Sequence, residues 1–186
     1  MKKAFILLAT IFFQFVAYGQ AVKGISAGIT PFGHLGVRNV SEKTELLSSS
    51  YSFSSPAFHL SYDTRRTVIE ATTDLFYSKE KLSDETGLLN MDVHHFGVYR
   101  FQGYTILPTK RIQIPIYLGI GLSYFTQAIP TKLFLDFGGR ARLRVYVTNR
   151  LAIFGGGYYI LGFSGSKTAK YMTHRYGVES GLLFNF

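Results

Sequence analysis

The segment from Leu133 to Val147 admits few folds. In it Leu133, Leu135, Phe137, Ala141, Leu143, Val145 and Val147 alternate with Asp136, Gly138, Arg140, Arg142, Arg144 and Tyr146. Successive side chains of a strand point to opposite faces, so the pattern separates an apolar face from a charged one. A face carrying three arginines cannot be a globular core. A soluble barrel that carries an apolar ligand turns its apolar face inward. Here the apolar face is the long continuous one, and a strand that is apolar outside and charged inside is what a lipid solvent demands. The preceding segment repeats the pattern: Ile112, Ile114, Ile116, Leu118, Ile120, Leu122 and Tyr124 oppose Gln113, Pro115, Tyr117, Gly119, Gly121 and Ser123.

Strand-like segments are read at 21–30, 54–63, 66–78, 91–104, 111–126, 132–147, 151–163 and 172–186. The even number and the alternation of long and short connections predict an all-β fold, an eight-stranded antiparallel up-and-down transmembrane β-barrel with both termini at the periplasmic end. Long loops are expected at Pro31 to Phe53 and Lys79 to Asn90. Tight turns are expected at Thr64-Arg65, Leu107 to Lys110 and Thr148 to Arg150. The remaining connections, Gln127 to Thr131 and Ser164 to Lys170, are brief for outer loops. The segment 151–163 is apolar on both faces and yields no register.

The first nineteen residues read differently. Lys2 and Lys3, an apolar run from Ala4 to Val16, and Ala17-Tyr18-Gly19 with small residues three and one before a cut are the anatomy of a signal peptide. Cleavage is expected before Gln20, leaving 20–186 as the barrel domain. Without Lys2 and Lys3 the chain has 18 basic against 11 acidic side chains, about +7, yet no run of Lys or Arg tracks along a loop or a helix face, which argues against a nucleic-acid partner. With no cysteine there is neither disulfide framework nor thiolate metal site. Beyond Gly19 no apolar stretch is long enough for a transmembrane helix, while 19 glycines, 17 Phe and 13 Tyr suit strands and interfacial girdles.

The terminal octet Glu179-Ser180-Gly181-Leu182-Leu183-Phe184-Asn185-Phe186 resembles the β-signal of outer-membrane proteins, with a polar residue, Gly181 two later, and Phe184 and Phe186 at the third-last and last positions. Over its mature length the chain resembles the small OmpX-like and PorT-like outer-membrane barrels. The resemblance implies insertion by the barrel assembly machinery into the outer membrane of a Gram-negative cell, among its lipid and lipopolysaccharide. It implies no activity, because the same barrel serves unrelated tasks.

The polar residues expected to project into the barrel are His59 and Asp63 on the second segment, Glu70 and Asp74 on the third, His94 and Arg100 on the fourth, Asp136, Arg140, Arg142 and Arg144 on the sixth, and Arg175 and Glu179 on the eighth. Eight strands leave room only for side chains, so these are read as a hydrogen-bonded ion network in which the three arginines of the sixth strand meet Glu70, Asp74 and Glu179. Two enzymatic readings compete with it. His59-Leu60-Ser61 resembles the His and Ser spacing of outer-membrane lipid A deacylases, but its place beside Asp63 near a periplasmic turn does not match that site. His94-His95 is a candidate metal half-site, but adjacent strand residues point to opposite faces. Tyr62, Tyr77, Tyr99, Phe101, Tyr124, Phe184 and Phe186 are assigned to interfacial girdles. No nucleotide loop or metal-ligand cluster is present, so no catalytic residue, metal or cofactor is expected. The expected function is that of a non-enzymatic outer-membrane barrel, structural in the envelope or engaging a protein partner through its outer loops.

Overall fold

The computed structural model describes residues 22–186 apart from 53–55, 67, 85, 87, 89, 108, 110, 127–132 and 166–168. The proposed signal peptide therefore lies outside the described residues. Ten strands form one antiparallel sheet: β1 Val22–Asn39, β2 Thr44–Tyr51, β3 Ala57–Arg66, β4 Ile69–Ser83, β5 Asn90–Thr105, β6 Ile112–Gln113, β7 Pro115–Phe125, β8 Leu133–Tyr146, β9 Leu151–Gly165 and β10 Lys170–Asn185. Two of the barrel's staves are broken. β2 and β3 pair with the two halves of β1, from Gly33↔Tyr51 to Asn39↔Thr44 and from Val22↔Arg65 to Thr30↔Ala57. β6 and β7 both run against β8. Eight staves result, and β10 closes the ring on β1 from Gly24↔Asn185 to Asn39↔Tyr171. Closure leaves no edge along this seam. The one irregularity in it falls between Ile29 and Phe32, where Pro31 has no N–H to give to a ladder.

The side-chain distribution is inverted relative to a soluble domain. Leu118 is 75% exposed on the outer surface, and Ile25, Leu60, Leu75, Val98, Leu122, Leu135 and Leu182 are exposed with it, whereas Arg142 is 1% exposed in the interior. A belt of this kind has no favourable solvent in water, because each apolar side chain left exposed forgoes about 1.5–3 kcal/mol of burial.

Several strands run on beyond the belt. β1 has 18 residues, β5 and β10 have 16 and β4 and β9 have 15, against about 9–11 needed to cross a bilayer. The surplus lies at the end away from the termini, called here the far end. There the interior changes character, and Leu35, Val37, Leu47, Tyr51, Leu82, Val93, Phe125, Phe134 and Tyr171 pack into a buried apolar cluster.

This extension corrects the expected long first loop. Residues 31–39 continue β1, 44–51 return as β2, and the turn is confined to Val40–Lys43, with Lys43 at φ 58°. Leu35, Val37, Leu47 and Tyr51 all face inward, so a period of two runs through a stretch whose serines made it read as loop. Lys79 to Ser83 likewise belongs to β4 rather than to a loop. The second turn lies beyond Arg66, not at Thr64-Arg65, because Arg65↔Glu70 and Arg66↔Ile69 extend the ladder. Gln127 to Thr131 lies outside the described residues.

Candidate functional site

The interior below the apolar cluster is a column of charge held by facing strands. Nearest the terminal end, Glu70 of β4 accepts from Arg144 Nη1 at 2.7 Å, Tyr117 at 2.6 Å and Thr105 at 2.5 Å. Beside it Asp63 accepts from Ser26 at 2.8 Å and Thr72 at 2.6 Å, with Arg144 Nη2 at 3.6 Å.

In the next layer Asp74 takes Arg140 Nη2 at 2.5 Å and Ser61 at 2.6 Å, with His59 Nδ1 at 3.2 Å. Glu179 of β10 receives a bidentate Arg142, Nε at 2.8 Å and Nη2 at 3.1 Å, and lies 3.2 Å from Arg140 Nε. Bidentate guanidinium pairs are the stronger kind, and each carboxylate here is multiply satisfied, which buried charge requires.

Higher still, Arg175 is held by rings, its guanidinium carbon 3.7 Å from the Phe76 centroid, 5.0 Å from Tyr99 and 5.5 Å from Tyr158. Tyr99 donates to Asp136 at 2.9 Å. Glu80, just under the apolar cluster, accepts from Tyr51 at 2.7 Å and from Ser78, with His95 Nδ1 at 3.6 Å.

No protein-family model matches the sequence, and no curated protein matches it. Among solved structures, neisserial surface protein A superposes with a TM-score of 0.63 at 12% identity, over 88% of this chain and 97% of its own. This chain has the fold of a small outer-membrane β-barrel. Ail, the attachment invasion locus protein of Yersinia pestis, overlaps at a TM-score of 0.44 and 14% identity, over 87% of this chain and 98% of its own. The outer membrane protease OmpT from Escherichia coli overlaps at 0.46 and 7%, over 91% and 99%. Overlaps that loose add nothing to the first.

The barrel brings together Asp63, Glu70, Asp74, Arg140, Arg142, Arg144 and Glu179, and sets Asp136 and Arg175 in the aromatic layer above them. It does not bring in Arg100 or His94. Both lie on the outward face of β5, Arg100 donating to Thr73 at 2.7 Å and His94 sharing a 2.9 Å hydrogen bond with Tyr77. The inward face of β5 is instead Val93, His95, Gly97, Tyr99, Phe101, Gly103 and Thr105. Tyr99 and Phe101 are thus lumen residues and not girdle residues. Charge-in, apolar-out gives the wrong phase here because the column is packed with rings as well as ions. Phe101 lies under the Arg140 guanidinium at 4.5 Å and Phe154 under that of Arg142 at 4.3 Å.

Ser61 and His59 do share the inward face, but Ser61 donates its hydroxyl to Asp74 and His59 Nε2 meets Thr30 at 2.7 Å. Ser61 is not hydrogen-bonded to the histidine that would have to activate it. Glu80 went unread in the sequence because Lys79-Glu80-Lys81 passes for a loop, and Tyr51, which the sequence places on the first loop, turns inward from β2. The terminal-signal residues Phe184 and Phe186 are exposed on the outer surface at the terminal end.

At the far end the one ladder pair between β2 and β4 among the described residues is Ser48↔Ser83. The parting below that pair opens into a cleft of about 430 Å³ lined by Ser49 to Ser52, Lys79, Glu80, Lys81 and Asp92. Lys79 and Asp92 pair across its rim at 3.1 Å.

Proposed function

We propose that this protein is an integral outer-membrane barrel whose interior is structural and whose projecting far end is its working surface. The observation that carries the proposal is the inversion of polarity: Arg140, Arg142 and Arg144 are buried and paired inside, while the outer surface is a belt of Leu, Ile, Val and Phe. Lipid is the solvent that suits such a belt.

On this reading the export signal is removed before Gln20, the termini lie in the periplasm, and the assembly machinery recognises Gly181, Phe184 and Phe186. The far end then stands outside the lipid, and its apolar interior keeps the extended staves rigid enough to present a fixed surface to a protein partner or to lipopolysaccharide. On this reading the charge network has no catalytic role, since its carboxylates are committed to partners and Ser61 gives its hydroxyl to Asp74 and not to His59.

The test is fractionation of cells producing the full chain, followed by sequencing of the N-terminus. Recovery with the outer membrane, resistant to salt and starting at Gln20, supports the proposal. Recovery in the soluble periplasm or the medium overturns it.

A further inference from the structure

On the outer surface of the far end, β10, β1 and β2 lie side by side and each contributes a side chain to one cluster. His34 of β1 and His174 of β10 stack with centroids 5.5 Å apart and planes at 28°. Glu45 of β2 joins them, and one donor atom from each of the three lies within 4.8 Å of the others. His34 stands opposite Tyr176, in one row with the stacked Tyr159 and Tyr176 at the rim of the apolar belt and with centroids 5.3 Å from Tyr176, and His174 lies one row further toward the far end.

The backbone beneath the cluster is cleared for it. Gly36 stands opposite His174 in the β1–β10 ladder, and a Cβ there would fall 2.2 Å from Cε1 and 2.3 Å from Nε2 of the imidazole. A glycine lets the His174 ring lie across β1 toward the strand that carries Glu45. Any other residue at 36 would push the ring back.

We propose that His34, His174 and Glu45 form a site for a divalent transition ion of the zinc type. Two imidazoles and a carboxylate make the three-ligand donor set that leaves a fourth position open. Imidazole donors select Zn²⁺, Cu²⁺ and Ni²⁺, whereas Mg²⁺ and Ca²⁺ take oxygen. Ligands about 2.0–2.2 Å from one ion stand roughly 3.4 Å apart, so the cluster closes on it through side-chain rotation of about an ångström. The ion would tie the β1–β2 hairpin to β10, bridging the seam at which the barrel closes, and would offer its open position to water or to a ligand from a partner.

The test uses untagged protein folded in detergent and titrated with zinc chloride and cobalt chloride. One equivalent is expected to bind, with a cobalt absorption spectrum typical of nitrogen ligation and no competition from magnesium or calcium. His34→Gln and His174→Gln should each weaken binding about tenfold or more, and Gly36→Ala, which displaces a ligand without removing one, should weaken it by about 10–100-fold. Should a variant fail to fold, histidine modification of the wild type decides the matter: zinc should protect His34 and His174 from acylation and leave the exposed lysines reactive. Absence of saturable binding, unchanged binding in the His34→Gln/His174→Gln double variant, or no protection of these two histidines would overturn the proposal.

Discussion

Arg142 and Glu179 meet inside the barrel above a residue that has no side chain. Arg142 on β8 and Glu179 on β10 both lie opposite Gly156 of the intervening β9, and their bidentate contact, 2.8 and 3.1 Å, closes over it with both side chains fully buried. The pair therefore needs the glycine as much as it needs the two charges.

Replacing Arg142 by Leu strands Glu179 in the interior, and the loss of one partner of a buried pair costs about 3–5 kcal/mol. Arg142→Leu should lower the midpoint of urea unfolding in lipid vesicles accordingly. Leu143→Ile, one residue along on the outer face, should leave it within about 0.5 kcal/mol.

The run Gly155-Gly156-Gly157 separates packing from propensity. A Cβ at Gly156 would lie 2.2 Å from the Ala141 carbonyl oxygen, whereas at Gly155 and Gly157 the nearest atoms are 3.8 and 3.5 Å away. Gly156→Ala should reduce the folded yield and the unfolding midpoint. Gly155→Ala and Gly157→Ala should be neutral or stabilising, by at most about 1 kcal/mol, because glycine weakens a strand interior.

Arg100 tests the corrected register of β5. It lies on the outer face, where it donates to Thr73, and an arginine facing lipid is destabilising by about 0–4 kcal/mol according to depth. Arg100→Leu should be silent or stabilising in vesicles, the opposite sign to Arg142→Leu. A loss comparable to that of Arg142→Leu would place Arg100 back inside.

Phe184 and Phe186 are half exposed or more on the outside of the finished barrel, at 49% and 61%. Replacing both by Ser should cut the amount assembled in cells while changing the unfolding rate of the purified barrel little. An unchanged outer-membrane yield would mean that the terminal octet is not read during assembly.

How much of this was legible depended on the local alternation. β7 and β8 disclosed their faces because Ile116 to Tyr124 and Leu133 to Val145 keep one kind of residue per face. β9 did not, because its inward face is Ala152, Phe154, Gly156, Tyr158 and Ile160, which fill space around arginines supplied by other strands. β5 misled for the same reason, its inward rings being apolar and its outward Arg100 charged. The far-end extension was hidden because its interior is apolar where the barrel's is charged, so the inside-out rule reverses along one strand, from Ser26 and Thr30 to Leu35 and Val37 in β1. The cluster of His34, Glu45 and His174 joins residues from three strands and required the β1–β2 hairpin, which had read as loop.

On the proposed reading this barrel is filled and not a pore, with Arg140, Arg142 and Arg144 neutralised by Asp74, Glu179 and Glu70 and the far end stopped by the apolar cluster around Leu35 and Phe134. Eight strands enclose an interior that side chains fill. Reconstitution of the purified wild-type barrel in planar bilayers measures this directly. A bilayer that stays at baseline current after insertion is verified is the predicted result. Stable, stepwise conductance from the wild-type protein would contradict it.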